Sequence, residues 1–341
     1  MSACSWHTVA PGWQLVLLAA CAAAILSAIV VQLIRPLLLK HLLAKPNARS
    51  SHRVPTPQGA GIAVIAATVV VAGALLFGTW DETPTLQLFG ATLFLAALGF
   101  ADDLKPVPVL PRLVLQAIAV GAVIFFVGAC ELRMFIPPWV ERGLLVLAGL
   151  WFVNLVNFMD GLDWMTVAEV VPITAALALL GVQGDLPPMA AIVAAALCGA
   201  MIGFAPFNRP VAKIFLGDVG SLPIGLLLGW CLLQLALHQH LAAALLLPLY
   251  YLADATVTLL RRMARGEPFL VAHRSHFYQR ATDNGFPVLR VVGEVFVLNL
   301  ALASLAIASI YTRSLVGNVA LTFVGGFAVA FLLYRFSRKR A

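Results

Sequence analysis

Charge is scarce in this 341-residue sequence: Asp, Glu, Lys and Arg together make up 11% of it, while 62% is hydrophobic and the mean hydropathy is +0.97. That scarcity excludes an ordinary soluble domain, which needs a polar surface, and the long Ala, Leu, Val, Ile and Phe runs imply a polytopic membrane protein. Ahead of Arg35 there is neither a basic segment nor a convincing small-residue cleavage pattern, so no removable signal peptide is expected. Five cysteines (Cys4, Cys21, Cys130, Cys198, Cys231) show no metal-binding or redox spacing and are read as packing residues. Internal repeats, linkers and low-complexity stretches are also missing, which leaves a single integral membrane domain over residues 1–341. The formal charge of +7 is read as a mark of the cytoplasmic side, with no nucleic-acid partner expected.

A spanning helix needs about 20 apolar residues, fewer where it lines a cavity. Breaks at Gly, Pro and charge clusters predict an all-α fold of about eleven transmembrane helices (10–11): 13–34, 58–78, 85–101, 112–129, 141–159, 165–183, 188–207, 219–237, 241–260, 291–311 and 315–334. With the N-terminus outside and the C-terminus cytoplasmic, 19 of the 22 basic residues fall on the cytoplasmic side, leaving Arg133, Arg142 and Arg313 outside. Trp13, Trp80 and Trp139 then lie near the outer interface.

The same orientation gathers the polar stretches at the cytoplasmic face. In GFADDLKP, Asp102 and Asp103 end the third span. Adjacent helical residues point about 100° apart, so one carboxylate can face a metal or phosphate while the other caps or orients; a solvated helix end paired with Lys105 is the plain alternative. In NLVNFMDGLDWM, steps of three put Asn154, Asn157 and Asp160 on one stripe. Gly161 permits a turn and Asp163 follows. Their oxygens suit a hard cation such as Mg²⁺, and amide groups can hold phosphate or sugar hydroxyls; polar glue between helices accounts for Asn154 but poorly for Asp160. In KIFLGDVGS, Gly217 and Gly220 flank Asp218, with Ser221 as the expected N-cap. A helix N-terminus there would offer free N–H groups to a phosphate and Asp218 to the accompanying Mg²⁺. In HRSHFYQR, His273, Arg274, His276 and Arg280 suit an anionic ligand better than zinc, which would lack further ligands nearby. Asp254, about two turns before Arg261, is read mainly as that arginine's partner. The loop KPNARSSHRVPTPQGAG brings Lys45, Arg49 and Arg53 near an anionic ligand or lipid head group.

Carboxylates for a divalent ion, cations for phosphate and a lipid-embedded frame suit phosphoryl transfer from a cytosolic diphosphate donor to a lipid phosphate, since such chemistry is mainly positioning and charge neutralisation. The rival is an ion-coupled transporter with intramembrane aspartates as cation sites. RSSHRVPTPQGAG, GFADD, NLVNFMDGLD, KIFLGDVGS and HRSHFYQR, in this order, resemble the polyprenyl-phosphate N-acetylhexosamine-1-phosphate transferases, the glycosyltransferase 4 type that includes the phospho-MurNAc-pentapeptide translocase, and most closely their O-antigen-initiating branch. The resemblance implies a bacterial inner-membrane enzyme that moves N-acetylhexosamine-1-phosphate from a UDP-sugar to undecaprenyl phosphate, releasing UMP, with Mg²⁺ (or Mn²⁺) as cofactor; a homodimer is left open. It implies Asp102 and Asp103 at the lipid phosphate and Asp218, Asn157 and Asp160 at the metal or diphosphate. It also implies Gly161 and Asp163 in the nucleotide region, and His273 and His276, with Lys45, Arg274 and Arg280, toward phosphate or sugar. Two departures stand out: DGLDW has Trp164 where many relatives read DGxDG, and PTPQGAG has Gln58 and Ala60 where relatives often carry a basic residue and another glycine.

Overall fold

A computed structural model describes residues 10–44, 55–78, 82–126, 136–268, 273–312 and 314–340. Lys45, Arg49, Arg53 and Trp80 lie outside these residues. In chain order the helices are α1 (Trp13–His41), α2 (Gly61–Leu76), α3 (Glu82–Leu104), α4 (Val109–Phe126), α5 (Pro138–Met159), α6 (Met165–Gln183) and α7 (Pro188–Phe204). They continue as α8 (Asp218–Leu237), α9 (Leu241–Leu246), α10 (Leu249–Ala264), α11 (Phe277–Asp283), α12 (Val288–Thr312) and α13 (Leu315–Phe336). Among the described residues the only strands are β1 (Leu43–Ala44) and β2 (Thr56–Pro57), an antiparallel pair in which Leu43 faces Pro57.

Among the described residues seven helices (α1, α3, α5, α6, α8, α12, α13) are long and apolar enough to cross a membrane, and α2, α4 and α7 are shorter apolar helices. The chain is therefore a polytopic helical membrane protein. The expected ninth span over 241–260 is divided into α9 and α10, with Pro248 at the break. Proline has no N–H for the preceding turn and its ring clashes with the carbonyl four residues back, so a continuous apolar run does not give a continuous helix. A further short helix, α11, forms in the loop that follows.

Ala-rich α7 is buried along almost its whole length. It admits α1 closely because a Cβ at Gly199 or Gly203 would collide with the backbone of Ala20 or Ala24, a small-residue crossing suited to a lipid environment where backbones must approach to gain contact. By contrast α1 and α13 expose Leu17, Leu18, Ile25, Leu33, Phe323, Phe327 and Phe331, faces that hydrocarbon solvates. Three other glycines bring the functional end together: Gly61 of α2 meets the Gly220 backbone, Gly99 of α3 meets the Asp218 carbonyl, and Gly225 of α8 meets Val153 of α5. The C-terminal ends of α3 and α5 and the N-terminal ends of α2 and α8 thus converge at one end of the bundle. Trp13 and Trp139 start α1 and α5 at the other end, both exposed.

Candidate active site

Asp102 and Asp103 are neighbours in sequence and separate in role. Asp102 accepts from the Val107 N–H at 2.5 Å and from Arg112 Nη1 at 2.6 Å. The same Arg112 nitrogen lies 3.8 Å from Asp218 Oδ2, so one guanidinium from α4 faces carboxylates from both α3 and α8. Asp103 instead turns to α8: its two oxygens accept from the N–H groups of Asp218 and Val219, each at 3.0 Å. The α8 N-terminus, expected to offer free N–H groups to a phosphate, is therefore occupied by Asp103, a carboxylate neutralising the positive dipole end. Asp103, expected at the lipid phosphate, is placed as a support for Asp218. Gln58 adds to the same support by donating to the Asp103 carbonyl at 3.2 Å.

Asn157 on α5 donates through Nδ2 to Asp218 Oδ1 at 2.7 Å and to Ser221 Oγ at 2.9 Å. Ser221 is thus an inward acceptor inside α8, whereas Gly217, at φ +78°, holds the N-cap position. Asn154 departs from the expected stripe and donates to Gln116 Oε1 at 2.7 Å, joining α5 to α4 in the core. Asp160, just past the end of α5, accepts a short hydrogen bond from Thr166. Burial of its carboxyl, reinforced by the negative charges of Asp103 and Asp163, pushes its pKa up to about 7 despite that bond. Gly161 has a packing reason: a Cβ there would collide with the Tyr278 hydroxyl, which donates to Phe158 O at 2.9 Å. Asp163 accepts from the Ala212 N–H at 2.9 Å. Trp164 adopts φ +65°, ψ 0°, a left-handed conformation that costs a non-glycine residue about 1–2 kcal/mol.

The histidine segment is organised by Asp254, fully buried in α10. Rather than pairing with Arg261, Asp254 accepts from the N–H groups of Phe277 (2.9 Å) and Tyr278 (3.1 Å) at the start of α11, and from Tyr250 and Thr258. His276 Nδ1 lies 3.3 Å from the same carboxylate, and its residue is only 3% exposed. His273 is half-buried, with its ring centroid 4.8 Å from that of His276 and Nδ1 hydrogen-bonded to Ser275 at 2.8 Å. Of the two, His273 is the more open to a ligand, and His276, expected to touch phosphate or sugar, backs it. Arg274 is engaged by Asp283 at 3.1 Å, and Arg280 lies over the Phe277 ring. Phe158 connects this group to α5, stacking at 6.5 Å on His276. Lys45 lies outside the described residues.

In sequence Arg112 is one more cytoplasmic cation and Asp254 mainly a partner for Arg261. The nearby signal for Arg112 was its place at the start of the helix after the Asp pair; for Asp254 it was an aspartate within an apolar span.

Asp218 presents two carboxylate oxygens beside the carboxyl of Asp102, one of them 3.8 Å from the Arg112 guanidinium, and its side chain is 29% exposed. That fits a hard cation. Among the described residues no three His, Cys, Asp or Glu side chains converge at metal-binding distance, so an ion here would complete its shell from water and substrate, as Mg²⁺ commonly does.

Membrane-length helices whose acidic residues and histidines converge at one end define an integral membrane protein with a polar site open to one side of the bilayer. A family model described as glycosyl transferase family 4 matches residues 85–236, spanning Asp102, Asn157, Asp160 and Asp218. A phospho-N-acetylmuramoyl-pentapeptide-transferase of Neisseria meningitidis serogroup C is 28% identical over 298 residues, covering 76% of this chain and 81% of that protein. One of the same name from Streptococcus pneumoniae is 30% identical over 223 residues (60% of this chain, 67% of that one). A decaprenyl-phosphate N-acetylglucosaminephosphotransferase of Mycolicibacterium smegmatis is 29% identical over 290 residues (73% and 71%). The chain belongs to glycosyl transferase family 4.

Proposed function

We propose that this protein transfers N-acetylhexosamine-1-phosphate from a UDP-sugar to undecaprenyl phosphate, with Mg²⁺, as the first membrane step of O-antigen or related surface-polysaccharide synthesis, its site facing the cytoplasm. The observation that carries the reading is the pair Asp102 and Asp218, brought from two helices to one Arg112 guanidinium at the convergent end of the bundle. The three relatives described above are all transferases, which supports the reaction class over the transporter.

In the proposed reaction an oxygen of the lipid phosphate attacks the sugar-bearing phosphorus of the donor. A new P–O–P bond forms, the bond from that phosphorus to the bridging oxygen breaks, and UMP leaves with the electron pair. The lipid phosphate monoester has a second pKa of about 6 and is mostly ionised near neutrality, so no strong base is required. Asp102, already bonded to Arg112 and Val107, positions that guanidinium for phosphate. Asp218, oriented by Asn157, would hold Mg²⁺, which when bound neutralises diphosphate charge. Asp160, three residues after Asn157, would face the diphosphate donor. His273 and Arg280 supply further donors to phosphate or sugar. An apolar cavity of about 350 Å³ lined by Val120, Ile124, Trp151, Phe152, Leu226 and Trp230 suits a prenyl chain.

The test is to incubate purified protein with undecaprenyl phosphate, Mg²⁺ and a panel of UDP-N-acetylhexosamines, following lipid-linked sugar by chromatography. Product from one donor supports the reading and names the sugar. Bound donor without lipid product would refute it.

A further inference from the structure

Trp164 is held in its left-handed conformation by one loop. Its backbone N–H donates to Asn208 Oδ1 at 2.7 Å and its indole Nε1–H to Ala205 O at 2.6 Å. Asn208, 8% exposed, donates back to Ile214 O at 3.0 Å, and Asp163 takes the Ala212 N–H. Three hydrogen bonds thus tie the 160–164 turn to the segment 205–214. That segment continues into Phe215 and Leu216, which bond the backbone of Pro57, Gly59, Ala60 and Gly61, and then into Asp218. The turn bearing Asp160 and the helix bearing Asp218 are therefore joined through a loop with no regular helix or strand of its own.

We propose that Trp164 is a positioning residue: with Asn208 it latches the 205–217 loop to the α5–α6 turn and so fixes the start of α8, with Asp218, relative to the turn that bears Asp160. A glycine at 164 would adopt the same φ freely but has no indole donor, so in this chain the tryptophan exchanges backbone ease for a side-chain bond to the loop. The consequence for donor use rests on the transferase reading above; the latch itself does not.

The test uses Trp164→Phe, which keeps a ring and removes the indole donor, and Asn208→Ala, which removes the acceptor of the Trp164 N–H. Lys213 is exposed in the loop and followed by Ile214, so trypsin can cut there once the loop opens; Arg209 precedes Pro210 and resists trypsin. Losing one such bond is expected to speed cleavage after Lys213 about tenfold in each variant. With a turned-over donor, each variant is expected to raise the donor KM about fivefold while the acceptor KM stays at the wild-type value, and the double variant to exceed neither single by much, because the two residues form one latch. Unchanged cleavage in both variants overturns the latch whatever the activity, including when melting falls, because that pattern belongs to core packing alone. Faster cleavage in a protein that transfers no sugar would keep the latch and refute the transferase reading instead.

Discussion

Replacing Asp103 with Asn separates a supporting carboxylate from a reacting one. In the wild type both Asp103 oxygens accept N–H groups at the α8 N-terminus, each at 3.0 Å. Asn keeps one acceptor and turns its NH₂ toward the other donor. Hydrogen bonds to charged groups contribute about 1.5–3 kcal/mol and neutral ones about 0.5–1.5 kcal/mol, so one bond is lost and the other weakened. The favourable charge at the helix dipole also goes, worth up to about 2 kcal/mol where partly buried. Together the loss is on the order of 2–4 kcal/mol, or a fall of about 3–6 °C in melting temperature for a chain of this size. Melting of the detergent-solubilised protein, read by loss of the monodisperse gel-filtration peak, measures it directly. Transfer should fall only partially, through displacement of Asp218. Unchanged melting with transfer abolished would refute the reasoning, because it would mean that the charge acts on substrate and not on α8.

Asp160→Asn tests the buried turn: a carboxyl with a folded pKa of about 7 stabilises the fold below its unfolded pKa near 4, and that contribution is lost as pH rises through 7. The effect is on the order of 4 kcal/mol at most, so metal-free wild type should lose melting temperature between pH 5 and 8 while the variant stays flatter. Asp254→Asn removes a buried charge that organises the start of α11; a loss of about 3–5 kcal/mol and faster hydrogen exchange over residues 273–283 are expected. Gly99→Ala drives a methyl into the Asp218 carbonyl, parting α3 from α8; destabilisation of about 1–3 kcal/mol and sharply reduced transfer are expected, checked by melting and turnover.

Helix positions were legible because hydropathy and glycine or proline breaks act locally. The division of the ninth span was not, because LAAALLLPLYYLADA reads as apolar on both sides of Pro248. Asp102, Asn157, Asp160 and Asp218 stood out as polar groups too costly to place in a membrane without cause. Their division of labour depended on contacts far along the chain: Asp103 to Asp218 across more than a hundred residues, and Asp254 to Phe277 across 23. Adjacent residues on a helix point about 100° apart, and Asp102 and Asp103 accordingly meet different partners, Arg112 and the α8 N-terminus. Trp164 appeared in sequence as a departure from DGxDG, but its left-handed φ and its hold on Ala205 and Asn208 are properties of the folded turn.

UMP release by purified protein with a UDP-N-acetylhexosamine and Mg²⁺, with and without undecaprenyl phosphate, in wild type and Asp218→Asn, bears most directly on the proposed reaction. Release that requires the lipid phosphate and the ion, and that disappears in a variant which still folds, is the expected result. Release that ignores the lipid phosphate, or persists undiminished in Asp218→Asn, would contradict it.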